Sequence, residues 1–154
     1  VDLAMSPPAW KLRLSDVADR LVPSLTMDNE IRADMLFRTE EEQAAHQDDP
    51  LVHHRLSARL WGDMRRQAAI LVRRADQTRT PILVQVSGDD RVVSSAACHE
   101  LASRFGGDTR VIEYEEAYHD LFRDPAADRA ASDLVRWIGD ILAGRGGAGV
   151  DAAV

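Results

Sequence analysis

Asp90 and His119 are the two residues whose types and surroundings most directly suggest chemistry. Asp90 lies four residues beyond Val86 and His119 five beyond Tyr114, each just past a run that reads as a buried strand. In parallel α/β sheets, ligands bind outside the carboxyl ends of the strands. Neighbouring strands lie about 4.8 Å apart, so adjacent strands would bring these two loops together. A carboxylate on imidazole Nδ1 fixes the tautomer and stabilises the imidazolium, leaving Nε2 to take a proton from a nucleophile. On spacing alone the residues read two ways: as half of a hydrolytic triad, or as an acidic turn, Asp89-Asp90, beside a hydrogen-bonded loop histidine.

Other reactive side chains carry weaker signals. His46, Asp48, Asp49, His53 and His54 put five possible ligands close together. No Glu-x-x-His or His-x-x-x-His arrangement sets two of them on one helical face, so they read as a solvated polar loop and no metal site is assigned. The single cysteine, Cys98, cannot form an intramolecular disulfide. That fits a reducing, cytoplasmic interior, and its place on an apolar helix face makes it a small hydrophobe. Arg65-Arg66 and Arg73-Arg74 read as the wet face of a helix, and Trp61 and Trp137 as packing residues.

The elements that must position Asp90 and His119 are legible in the second half. Thr80-Pro81 introduces the apolar run Ile82–Val86, closed by Ser87-Gly88-Asp89-Asp90, a strand by length and flanks. Ser94 or Ser95 can cap a helix whose Ala97, Cys98, Leu101, Ala102 and Phe105 share one face, and Gly106-Gly107 stops it. Arg110–Tyr114 is a second strand. Asp124-Pro125 suits the N-cap and first position of a long amphipathic helix, with Ala131, Leu134, Val135, Ile138 and Leu142 at helical spacing up to Gly144. Strand, helix, strand, helix with these connections implies a right-handed parallel crossover and an α/β fold.

The first half has another texture. Between Trp10 and Arg79 no segment reads as a strand; Val17, Leu21 and Val22 suggest a short helix, and Leu56, Leu60, Met64, Ala68 and Leu71 a longer one. The polar stretch from Arg38 to Asp49 reads as an exposed connection or part of a lid. Val1–Met5 followed by Ser6-Pro7-Pro8 reads as a strand running into a turn, as in a chain cut in mid-domain, and the glycine-rich tail from Gly144 as flexible. Two or three strands are few for 154 residues, because sheets usually hold about five or six.

Composition narrows the partners. The chain is 45% hydrophobic, 29% charged and 5% aromatic, as in one ordinary domain. With 19 Lys and Arg against 26 Asp and Glu, its net charge of −7 repels a phosphate backbone, so no nucleic acid is expected. No run approaches the ~20 apolar residues of a membrane span, and nothing near Val1 has a signal-peptide layout, so no stable membrane anchor is expected.

Thr80–Val93, with Asp-Asp-Arg-Val-Val at its end, and Val111–Asp124, with Tyr-His-Asp-Leu-Phe at its centre, resemble the C-terminal half of the monoacylglycerol lipase and lysophospholipase branch of the α/β-hydrolases. Ser6-Pro7 and Asp49-Pro50-Leu51-Val52-His53 are similar to further segments of that branch, in the same order. The resemblance implies that Asp90 is the triad acid, Asp89 its non-catalytic neighbour and His119 the base, with Asp120 where the family more often has Glu. It implies residues 1–9 as a core strand and turn, 10–79 as a helical cap and return helix, 80–143 as the C-terminal half of the core, and 144–154 as a tail.

One family feature is missing. The fold orders its triad Ser, Asp, His, with the serine on a Gly-x-Ser-x-Gly elbow, and none of the nine serines here sits in that motif. Ser87-Gly88 lacks the preceding glycine, Ser6 precedes two prolines, and the family's histidine-glycine oxyanion segment is absent as well. The expected function is therefore a serine ester hydrolase for monoacylglycerol or lysophospholipid-like esters, present as a portion without its nucleophile and inactive alone. It needs no cofactor, and its implied partners are a lipid ester substrate and the N-terminal half of the fold. The rival is a non-catalytic α/β module that completes its sheet with another chain. Leu21, Leu25, Met27, Met35, Leu36 and Phe37 read either as an acyl-facing surface or as packing between cap and core.

Overall fold

The computed structural model describes residues 9–144. The strand expected over 1–5, its Ser6-Pro7-Pro8 turn and the tail beyond Gly144 lie outside the described residues.

The helical first half begins with α1 (Ala9–Leu21). Between it and the second half lie α2 (Ala33–Leu36), α3 (Glu40–Asp48) and α4 (Ala58–Arg74). Contrary to the strand-free expectation, β1 (Thr26–Asp28) and β2 (Arg55–Ser57) pair antiparallel, Thr26 opposite Ser57. Three-residue strands are too short to show a period of two, which is why the sequence conceals them. The polar stretch from Arg38 to Asp49 is also not a plain connection. Thr39 caps α3 by accepting the Glu42 amide at 3.4 Å, and Glu40, Glu41 and Glu42 sit where the helix dipole favours negative charge. With no buried residue, α3 has no apolar stripe to advertise it.

Ser57 caps α4, accepting from the Leu60 amide at 3.1 Å. α1 packs along α4, with Gly62 beside the ion pair that joins them: a Cβ there would stand 2.6 Å from Asp19 Oδ2, which is paired to Arg66 at 2.5 Å.

The α/β half follows the expected order. β3 (Ile82–Ser87) and β4 (Thr109–Tyr114) pair in parallel, joined through α5 (Ser95–Ala102), with Ile82 opposite Thr109 and Ser87 opposite Tyr114. The two strands therefore end level, and the loops that leave them start side by side. Ser94 is the cap of α5, accepting from Ala97 at 3.3 Å. α6 (Ala127–Leu142) starts slightly later than expected, yet Asp124 has extended angles (φ −91°, ψ 157°) and its carboxylate accepts the Ala126 amide, as an N-cap does.

Tyr114, Ala117, Leu121 and Ala130 form the core, with Ile112 and Ala126 packed against it. Its polar centre is satisfied. Gln85 Nε2 donates to the Ala130 carbonyl at 2.8 Å and to Tyr114 Oη at 2.9 Å, and Tyr114 Oη donates to Asp133 Oδ2 at 3.0 Å. This fastens α6 to the sheet through Ala130. The rest of the expected α6 stripe is only partly covered, with Val135 68% and Leu142 83% exposed. Among the described residues no helix is long and apolar enough to cross a membrane.

Candidate active site

The loops after β3 and β4 are zipped together by their backbones. Gly88 N–H donates to the Tyr114 carbonyl at 2.9 Å and Asp89 N–H to the Ala117 carbonyl at 3.1 Å. A Cβ on Gly88 would run into the Glu115 backbone, so glycine is required for this approach. From the other side, Ser95 Oγ donates to the Ser87 carbonyl at 2.8 Å.

Within that frame, Asp90 divides its carboxylate between two tasks. Oδ1 accepts from the Val92 and Val93 amides at 2.8 and 2.9 Å, which fixes the side chain to its own loop. Oδ2 faces His119 Nδ1 at 2.9 Å. The Asp90 side chain is 11% exposed and that of His119 35%. Burial disfavours the charge on Asp90, but His119 and the two amides outweigh it and hold the carboxyl below its ordinary 3.8. Asp90 in turn raises the imidazole above its ordinary 6.5, against the opposing effect of burial. The arrangement supports an Nδ1–H tautomer with its positive form stabilised, the electrostatics a general base needs.

The neighbouring acid points elsewhere. Asp89 Oδ2 lies 3.4 Å from Arg91, whose guanidinium stacks on the Tyr118 ring at 4.2 Å and hydrogen-bonds its hydroxyl. The helical half reaches the same region. Asp120 N–H donates to the Leu36 carbonyl at 3.1 Å, Arg38 Nη1 donates to the Glu116 carbonyl at 2.9 Å, and Arg123 pairs with Glu42 at 2.5 Å while lying over the Phe37 ring.

A cavity of about 340 Å³ opens beside the pair, walled by Asp90, Val93, Cys98, His119, Leu121 and Phe122 among others. Cys98 thus stands at the candidate site, not merely in packing. Burial, helped by the Asp90 charge, pushes its thiol up, so it is not an activated thiolate. None of Leu21, Leu25, Met27, Met35, Leu36 or Phe37 lines this cavity. Phe37 is a buried packing residue at 3% exposure, whereas Leu21, Leu25 and Met27 are exposed. His46 rests against the Phe37 ring, centroids 5.1 Å apart.

Sequence reasoning brought Asp90 and His119 to one site but missed what holds them there. Gly88 carried a readable signal, a glycine directly after a strand. The Leu36 carbonyl carried none, because a backbone acceptor has no residue type. In sequence Asp124 shows only as a helix cap, although its second oxygen accepts the Tyr118 amide at 3.1 Å.

Known proteins resemble this chain along most of its length. The family model Hydrolase_4, described as serine aminopeptidase, S33, matches residues 1–126. A monoacylglycerol lipase of Mycolicibacterium smegmatis is 28% identical over 127 residues, covering 81% of this chain and 45% of the lipase. The phospholipase YtpA of Bacillus subtilis is 28% identical over 115 residues, covering 68% of this chain and 41% of that protein. Among solved structures, the Paleococcus ferrophilus monoacylglycerol lipase superposes with a TM-score of 0.76 at 25% identity, over 86% of this chain and 52% of that one. The chain spans about half the length of these relatives. Since the family model takes in most of the sequence and a solved lipase shares the fold, the chain belongs to the Hydrolase_4 (S33) family of α/β-hydrolases.

Proposed function

We propose that this chain supplies the acid and the base of a serine ester hydrolase acting on monoacylglycerol or lysophospholipid-like esters, with Asp90 and His119 in those roles. The observation that carries the proposal is the 2.9 Å contact between His119 Nδ1 and Asp90 Oδ2 at the level ends of two parallel strands. The names of the relatives, a monoacylglycerol lipase and a phospholipase, favour a lipid ester over the peptide that the family description suggests.

The serine belongs to the N-terminal half of the fold, because no serine of this sequence lies in an elbow motif. His119 Nε2 removes the serine proton as Oγ adds to the ester carbonyl, and the imidazolium formed is held by Asp90. That proton passes to the departing alcohol, leaving an acyl-serine. Water then repeats the sequence, with His119 again the base, and releases the fatty acid. No cofactor is required.

The exposed Val135, Ile138 and Leu142 on α6 suit contact with that N-terminal half. The same face suits a non-catalytic module that completes its sheet with another chain, and one experiment separates the two readings. The part of the Mycolicibacterium lipase that precedes its matched region is fused ahead of this chain and assayed on a short-chain glyceride. Hydrolysis that falls by about 10⁴ in kcat with His119→Ala supports the hydrolase. A folded fusion without turnover, or with turnover indifferent to His119→Ala, favours the module. The chain alone should not react with a fluorophosphonate probe.

A further inference from the structure

Two amides flank His119, and groups from different parts of the chain hold them. The Asp120 N–H that follows it donates to the Leu36 carbonyl, and the Tyr118 N–H that precedes it donates to Asp124 Oδ2 at 3.1 Å. Asp124 is buried, 5% exposed. Its other oxygen, Oδ1, accepts the Ala126 amide at 3.0 Å, and its carbonyl accepts from Ala127 at 2.8 Å, opening α6.

Capping alone does not account for this carboxylate. A cap needs one acceptor, and a serine hydroxyl serves as well as a carboxylate. Burying a charge is costly unless several donors meet it, and here the second oxygen reaches back to the Ala117–Tyr118 peptide, one residue ahead of the histidine. Between these anchors the chain makes a single 3₁₀ turn, Leu121–Arg123, with Leu121 packed into the core. The loop is thus closed at both ends on one buried side chain.

We propose that Asp124 is a positioning residue for His119: its Oδ2 fixes the Ala117–Tyr118 peptide, one residue ahead of the histidine, and so keeps Nδ1 on Asp90. The inference rests on the proposed role of His119 as base. Asp90 and Asp120 are the acidic groups acting on the ring, and Asp124 works on the backbone instead of adding a third charge.

The test reads the imidazole itself in this chain. With ¹⁵N-labelled histidine, nitrogen shifts followed against pH report the tautomer and titration midpoint of His119 without any need for turnover. Asp124→Ser keeps an acceptor for Ala126 but cannot serve Tyr118 as well. It should shift the neutral ring toward the Nε2–H tautomer and lower the midpoint toward the ordinary 6.5, while α6 stays helical by circular dichroism. In the fused hydrolase the same change should lower kcat, by up to about 10²-fold, with KM nearly constant.

If Asp124→Ser does not fold, Asp124→Asn, which keeps the cap oxygen and turns its amide toward Tyr118, carries the same expectation. A folded variant of either kind with the tautomer and midpoint of the unaltered chain overturns the proposal. Asp90→Asn is the control for the reading beneath it. A His119 signal that ignores Asp90→Asn sinks the hydrolase assignment, whereas one that follows Asp90→Asn but ignores both changes at Asp124 sinks this inference alone.

Discussion

Adjacent aspartates with different partners make the acid loop a sharp test at the scale of single residues. Asp90 faces His119 and Asp89 faces Arg91, so in the fused hydrolase Asp90→Asn should cost on the order of 10⁴ in kcat by favouring the wrong tautomer. Asp89→Asn should cost less than about tenfold, since it removes only an exposed ion pair. The reverse ranking would shift the acid by one position. The pair also makes stability depend on pH. The Asp90 contribution is present above 3.8, its unfolded value, and is lost as pH falls through its lower folded value. The His119 contribution is present below 6.5 and is lost as pH rises through its higher folded value. Between 3.8 and 6.5 both operate. The melting-temperature difference between the unaltered chain and Asp90→Asn should therefore be larger at about pH 5 than at about pH 9. An equal difference at both would mean that the two groups are not coupled.

Among elements, the decisive contact is that of the two loops. Gly88→Ala should be severely destabilising or displace the acid loop, because its methyl meets backbone that cannot rotate away. The expected signature is loss of the His119 dependence on Asp90 in the nitrogen titration. α3 has no buried residue and is tied to the histidine loop through Arg123 and, just before the helix, Arg38. Replacing both arginines by glutamine should speed amide exchange in α3 by on the order of tenfold while β3 and β4 stay protected, as expected for two surface pairs of up to ~1 kcal/mol each. The sequence disclosed the elements that stabilise themselves by burial: β3 and β4 as apolar runs, and α5 and α6 by cap and stripe. It concealed those held by contacts distant in sequence. β1 and β2 are visible only as a pair, and α3 only through its Thr39 cap and its partners some eighty residues away. Asp90 and His119 were legible because strand ends can be counted, whereas the peptide groups that brace them cannot be seen in a string of side chains.

For the whole molecule, the balance of covered and uncovered apolar surface matters most. Val135 and Leu142 face outward from α6, and Trp10, Leu14, Val17 and Leu21 do so from α1; contiguous apolar surface of this kind promotes association. The double change Val135→Gln and Leu142→Gln should reduce self-association of the chain in light scattering while moving its melting temperature little, since neither side chain is buried. Unchanged scattering would place the adhesive surface elsewhere. The loops bearing Asp90 and His119 meet beyond the level ends of β3 and β4, and every group found to hold them belongs to this chain, which has a consequence for information rather than stability. If, as proposed, this chain supplies the proton-handling half of the reaction and the N-terminal half of the fold the attacking serine, ester turnover becomes a logical conjunction of the two. At high dilution the rate should rise in proportion to each piece and then saturate, and half-saturation would measure their affinity. A fluorogenic ester would then make this chain the silent partner of a complementation sensor.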